Sequence, residues 1–518
     1  MNNHSRHALV GTLAAASISL FGCGSGSSEA LVDTSTPTAT PVVAAKANGL
    51  TINVVDAVTG VTINNPVTIT LGGDLAGRVY DSKNNKVTGG KYSSGVVSLY
   101  SDASGNLQVA ASADGYLAGG TTALVPSGKA VVTVSLVSAA TPPATVSSSK
   151  QTASTTDGKL SQPLTATVVG SSATAADVKV SIPAQTTLTA ADGTALSGPV
   201  SVTVANYDLS QTSASSVLPG GFAVTEADGS SHAAAFAAAT TIEIKDASGR
   251  LATKLDKPVT LRLNIADGTE NPKFNRAYAT GDSVDVVSYS ATGTWTTEGA
   301  TALKKDSTGL YAEFDVNHLT TFYVGKKKVD DGCNTPLTVN LPNLAGANVA
   351  LGFAGKKINF YKAVSTAGQT SVKVAGVPVG FPVVFTALFG GTTLSATTSA
   401  TYSCGDVVTV NAALTAPVVS QDFGARTVCS DGSGTPSAAT SLLVSVFDSK
   451  GKLANVGVTD GSGSASLGGL TSGASYNYLL SYPDGDLTGK FTAGDSKVSL
   501  DIKVKCNSLT GATGASGD

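Results

Sequence analysis

The sequence predicts an all-β protein, built as tandem β-sandwich (Ig-like or prealbumin-like) domains joined by flexible linkers. Three observations carry this expectation. Short runs alternate apolar and polar side chains, as in Leu50-Thr51-Ile52-Asn53-Val54, Val67-Thr68-Ile69-Thr70-Leu71 and Val132-Thr133-Val134-Ser135-Leu136, which is the period of a half-buried strand. Turn-forming residues separate such runs, at 81–86 (DSKNNK), 102–106 (DASGN) and 113–115 (ADG). Charged residues make up 13% of the chain, about half the usual share, and Gly, Ser, Thr, Val and Ala take their place. With 518 residues the chain is long enough for several such domains.

The elements follow in chain order. Residues 1–22 read as a signal peptide. Arg6, between His4 and His7, forms a polar start, and the apolar run from Ala8 to Phe21 is too short to span a bilayer. Leu20-Phe21-Gly22-Cys23 resembles the bacterial lipobox, although Phe21 stands where the pattern usually has a small residue. The resemblance implies that Cys23 is lipidated and becomes the first residue of the mature chain. An attached acyl chain contributes about 0.8 kcal/mol per buried methylene, so several chains hold firmly. Gly24 replaces the aspartate that usually retains such proteins in the inner membrane, which implies the outer membrane. Residues 23–47 are rich in Ser, Thr, Pro and Ala and read as a disordered tether.

Residues 48–139 read as one sandwich. Asp102-Ala103-Ser104-Gly105-Asn106-Leu107, followed by Ala113-Asp114-Gly115-Tyr116, resembles the carboxypeptidase-regulatory-like family. That resemblance implies a prealbumin-like fold without catalytic residues of its own. Residues 140–163, rich in Pro, Ser and Thr, read as a linker.

Residues 164–270 and 271–327 read as a pair of sandwiches. The segments at 178–208, 218–222 (LPGGF) and 257–265 (KPVTLRLNI) resemble the first sandwich of the pair found in ankyrins and netrin receptors. The segments at 284–299 and 311–324 (YAEFDVNHLTTFYV) resemble its partner, whose closing strand also marks the autoproteolysis-inducing domain of adhesion receptors.

Residues 333–415 and 420–506 read as two copies of one module. Setting Gly368 against Gly461 places Gly376 on Gly469, Gly380 on Gly473 and Phe385 on Tyr478. The second copy again resembles the carboxypeptidase-regulatory-like fold. Four cysteines remain beyond Cys23, and four allow three pairings. Their spacing favours Cys333 with Cys404 and Cys429 with Cys506, each pair bracketing one copy, as suits an exported protein. Residues 507–518 read as a frayed tail.

Chemistry-bearing residues are few. Beyond the signal peptide only His232 and His318 remain, and no Gly-x-Ser-x-Gly elbow occurs, which argues against a Ser-His-Asp hydrolase. The glycine clusters at 432–435 and 461–469 lack the strand-loop-helix context of a phosphate site and read as loops. The acidic turns lack calcium-loop spacing, so no metal and no cofactor is expected. The near-neutral charge of −3, without a basic stripe, argues against nucleic acid.

The exception is His318-Leu319-Thr320. By resemblance to the adhesion-receptor domain, His318 would be the base, Thr320 the nucleophile and Leu319 the acyl donor of self-cleavage. The competing reading is an ordinary strand, in which Phe314, Val316, His318, Thr320, Phe322 and Val324 share one face. In a continuous strand His318 and Thr320 stand roughly 7 Å apart, too far to hydrogen-bond, so a bend at Leu319 decides between them.

Taken together, these features lead to the expectation of a non-enzymatic, lipid-anchored envelope protein with a structural, adhesive or scaffolding role. Its expected partners are the membrane, through the lipid, and envelope proteins or surface polysaccharide. A self-cleaving surface protein and a carbohydrate-binding accessory protein are the alternatives.

Overall fold

The computed structural model describes residues 48–170, 177–211, 214, 217–226, 231–329, 335–344, 346–355, 361–389, 392–399, 401, 403–414 and 417–506. Residues 1–47, expected to hold the signal peptide, Cys23 and the tether, together with Cys333 and the expected tail at 507–518, lie outside the described residues. Tandem all-β domains account for the fold, and the described residues form four sandwiches that follow one another in sequence.

Three of the four share one topology. In the N-terminal sandwich the first strand, Asn48–Asp56, lies between Val96–Ser101 and the last strand, Lys129–Leu136. It runs antiparallel to the former and parallel to the latter. The facing sheet orders Gly89–Tyr92, Val67–Gly72, Gly105–Ala113 and Gly119–Val125. The third sandwich repeats this plan. Leu337–Asn340 lies antiparallel to Ser371–Val374 and parallel to Val407–Thr409. The C-terminal sandwich repeats it again, with Val418–Cys429 antiparallel to Ser464–Thr471 and parallel to Val498–Val504. Alternation builds each core: Leu50, Ile52 and Val54 bury one face of the first strand against Val67, Ile69 and Val109.

The central sandwich is larger, and it corrects two expectations. The segments 164–270 and 271–327 form one interleaved sandwich, not a pair. Ala235–Asp246 pairs with Thr321–Lys326 in a seven-stranded sheet, and Ala252–Ile265 pairs with Gly309–His318 in the six-stranded sheet facing it. One core, including Val180, Leu261, Ala312 and Phe322, draws on both segments. Short-range alternation names strands but not their neighbours, so it could not reveal that the segments share both sheets. The segment 140–163 is likewise no flexible linker. Val146–Thr156 (VSSSKQTASTT) pairs with Gly198–Tyr207 in register from Val146↔Tyr207 to Thr155↔Gly198. Its side chains are almost all polar, and it is held by backbone hydrogen bonding, which leaves no apolar pattern to read.

The glycine cluster 461–469 also departs from the loop reading, because Ser464–Thr471 is a strand. Its register against Val418–Cys429 shifts between Val419 and Gln421. Gly469, at φ +72°, sits in this bulge, where a side chain would meet the Ala347 Cα at 2.2 Å.

The sandwiches pack on one another. Gly220 N donates to Gly120 O at 2.8 Å, and Ala118 N to Glu243 Oε1 at 2.8 Å, joining the first two. Leu443 N donates to Tyr100 Oη and Lys129 Nζ to Val456 O, joining the N-terminal and C-terminal sandwiches. Gln369 Nε2 donates to Lys129 O and Asn455 Nδ2 to Gly346 O, drawing in the third. A continuous apolar cluster runs from Leu117 and Val137 through Phe222 and Phe236 to Leu341 and Phe353. Among the described residues no helix is long and apolar enough to cross a membrane.

Candidate functional site

Of the two alternatives for 311–324, a continuous strand or a bend at Leu319, the chain takes the second and forms two strands. Gly309–His318 ends at His318 in the six-stranded sheet, and Thr321–Lys326 begins in the seven-stranded sheet. Leu319 and Thr320 carry the chain from one sheet to the other, and Leu319 is buried in the shared core. The single apolar face drawn through His318 and Thr320 is therefore broken. The peptide bonds of the described residues are all trans, and none of these three residues has positive φ.

The crossing is held by backbone bonds on both sides. Leu319 N donates to Thr253 O at 3.3 Å, and Ile242 N donates to Thr320 O at 3.0 Å. The Thr320 hydroxyl donates to the Tyr289 carbonyl. Beside it Thr321 Oγ1 meets Thr241 Oγ1 at 2.8 Å, and Thr241 Oγ1 meets the Tyr207 hydroxyl at 3.0 Å. Burial pushes the Tyr207 phenol up, so it remains neutral and available as a donor. A cavity of about 20 Å³, lined in part by Thr320, Tyr289 and Glu243, adjoins the crossing. It has room for roughly one water molecule.

His318 faces elsewhere. Its Nε2 lies 3.3 Å from Glu298 Oε1, and Ser288 Oγ donates to that same oxygen at 2.6 Å. The His318 ring packs on Phe322 at a centroid distance of 5.2 Å. Glu298 is placed by a bulge. Val286 pairs with Gly299 and Val287 with Thr297, leaving Glu298 as the extra residue. Neither Glu298 nor Ser288 stands out in the sequence; Gly299 after Glu298 is the one local trace of the bulge.

Serine, carboxylate and histidine thus meet, but in the wrong order for nucleophilic catalysis. An activated serine needs the imidazole between itself and the acid, so that the base takes the hydroxyl proton. Here Glu298 occupies the middle, accepting from Ser288 on one side and lying 3.3 Å from His318 Nε2 on the other. For self-cleavage the Thr320 hydroxyl would have to leave the Tyr289 carbonyl and reach the His318 ring. The bend at Leu319 is present, while the His318 ring lies beside Glu298 and the Thr320 hydroxyl donates to Tyr289 O.

The other site residues fall as follows. Cys429 and Cys506 form a disulfide. Cys404 is disulfide-bonded, and Cys333, its expected partner, lies outside the described residues. His232 sits half-buried in a hairpin strand, Ser231–Ala233, paired with Ala223–Thr225. Among the described residues no group of three or more His, Cys, Asp or Glu is arranged to hold a metal ion.

No family model matches the chain, and no curated protein does. Among solved structures the chain is similar to the minor pilin GBS52 of Streptococcus agalactiae, at 14% identity over 35% of this chain and 100% of that one, with a TM-score of 0.15. A streptococcal ancillary pilin matches at 12% identity over 46% of this chain and 97% of that one, with a TM-score of 0.14. The full-length major pilin RrgB of Streptococcus pneumoniae matches at 10% identity over 89% and 100%, with a TM-score of 0.13. Superposition at this level carries no argument about function.

Proposed function

We propose that the protein is a non-enzymatic component of the bacterial envelope, anchored by lipid on Cys23, which holds a rigid array of β-sandwiches away from the membrane for structural or adhesive contact. The observation that carries this reading is the packing between sandwiches. Hydrogen bonds such as Leu443 N to Tyr100 Oη and Asn455 Nδ2 to Gly346 O join modules far apart in sequence. A rigid body on a Ser/Thr/Pro-rich tether suits display, because surfaces fixed relative to one another bind a partner without an ordering cost.

The test is to express the full chain and its Cys23→Ala variant in a diderm host fed a radiolabelled fatty acid. The reading requires label on the parent alone, the parent in the outer-membrane fraction, and loss of surface or cell contact on deletion. Unlabelled parent protein, or contact unchanged on deletion, contradicts it.

Self-cleavage between Leu319 and Thr320 is a second reading, favoured by one observation: the strand breaks at that bond. A denaturing gel of boiled mature protein tests it. Two fragments that merge into one band in Thr320→Ala support it; a single full-length band in the parent removes it.

A further inference from the structure

A cleft of about 270 Å³ opens where the N-terminal, central and third sandwiches meet. Its walls come from strands Gly119–Val125 and Lys129–Leu136, from the turn around Gly220, and from strands Tyr361–Ser365 and Ser371–Val374. Lys129, Lys362 and Lys373 line it, and no aspartate or glutamate does. Two of the three amines are fixed by main-chain carbonyls: Lys129 Nζ donates to Val456 O at 2.8 Å, and Lys362 Nζ to Ala375 O at 2.7 Å. Among the described residues no ion pair involves any of the three. Elsewhere the central sandwich pairs its cations, as with Arg262 and Asp306 or Arg276 and Asp282.

A second feature is independent of charge. The Thr122 hydroxyl, on the same wall, is buried and has no hydrogen-bond partner. A buried hydroxyl without a partner is destabilising, and a polar ligand atom that reached it would remove that cost. The rest of the lining is mixed: Leu218, Phe222, Val364 and Val372 are apolar, and Thr133, Ser365 and Gln369 are among its polar members. A concave wall that combines apolar side chains with several polar groups has the make-up of a ligand site. Burial lowers the basicity of both Lys129 and Lys362, and no neighbouring anion raises it again.

We propose that this three-sandwich cleft binds a small organic anion, with its carboxylate or phosphate head at Lys362 and Lys373 and its apolar body on Phe222 and Val364. The anion supplies the negative charge that the walls lack. The inference goes beyond the envelope role and does not depend on the lipid anchor.

The experiment is calorimetric titration of the full mature chain, at neutral pH, with 4-phenylbutyrate, phenyl phosphate and the uncharged 4-phenylbutanamide. Saturable one-to-one binding of at least one anion is expected, with the amide weaker by about tenfold or more, as loss of a charge-assisted hydrogen bond implies. Binding of butyrate alone identifies a carboxylate head, of phosphate alone a phosphate head, and of both a site for either. Lys362→Gln should weaken the anion by a similar factor and leave the amide unchanged. Lys373→Gln, at an exposed position that does not endanger folding, should weaken the anion and reduce its dependence on added sodium chloride. The proposal is overturned if neither anion saturates, if the amide binds as well as the anions, or if the lysine variants bind like the parent.

Discussion

At Thr320 the hydroxyl donates to the Tyr289 carbonyl, and that bond ties the crossing segment to the neighbouring strand. Thr320→Ala should therefore destabilise the protein by about 1 kcal/mol, measured by chemical denaturation. Two ionisable groups each make stability rise with pH, in separate windows. Asp246, held down to about 2 by hydrogen bonds from Ser248 and Arg250, has a folded pKa below its ordinary 3.8. Its contribution is present above about pH 4 and is lost as the pH falls toward 2. Asp246→Asn should therefore flatten the acid limb of the stability profile. Lys362 is pushed from 10.5 down to about 8 by burial. Between those values the unfolded chain binds more protons than the folded one, so stability rises with pH. Lys362→Met should exceed the parent in thermal stability at pH 7, and the gap should narrow as the pH approaches 10. His318 and Thr320 were visible in the sequence as chemistry-bearing residues. Glu298, which engages His318, was not, because a bulge leaves little sequence trace.

Strands were legible where one face is buried. Leu164–Val168 and Val178–Ile182 alternate buried and more exposed positions as their sequences do. Val146–Thr156 was illegible because its backbone, rather than apolar side chains, holds it in the sheet. The ending of one strand at His318 was illegible for another reason: apolar residues continue through Leu319 to Val324, so alternation survives the change of sheet. The Cys429–Cys506 link joins the end of the first strand of the C-terminal sandwich to the residues just after its last strand. It closes a separation of 77 residues, worth about 4–5 kcal/mol in the chain-entropy account. Cys429→Ser should lower the unfolding free energy of that sandwich by up to that amount, read by calorimetry under non-reducing conditions.

At the scale of the molecule, five sandwiches were expected along a chain with flexible linkers; the described residues form four, and these are packed together. Contacts between distant modules leave little trace in sequence, because they rest on small residues at close approach. Gly469 is the clearest instance: its backbone meets Ala347 of the third sandwich with no room for a Cβ. Gly469→Val should part the third and C-terminal sandwiches, seen as a larger radius in small-angle X-ray scattering, with each sandwich still folded. Overpacking of this kind typically costs about 1–3 kcal/mol.

The parallel pairing of first and last strands gives the C-terminal sandwich a mechanical character. Tension applied across this module enters Val418–Cys429 at its start and leaves beyond Cys506, loading the two strands in shear. The disulfide at their far ends then bears the load, and the intervening chain is shielded from it. A separation of 77 residues would otherwise release about 260 Å of slack on unfolding. Oxidised, the module transmits force almost without lengthening; reduced, it becomes an extensible spring.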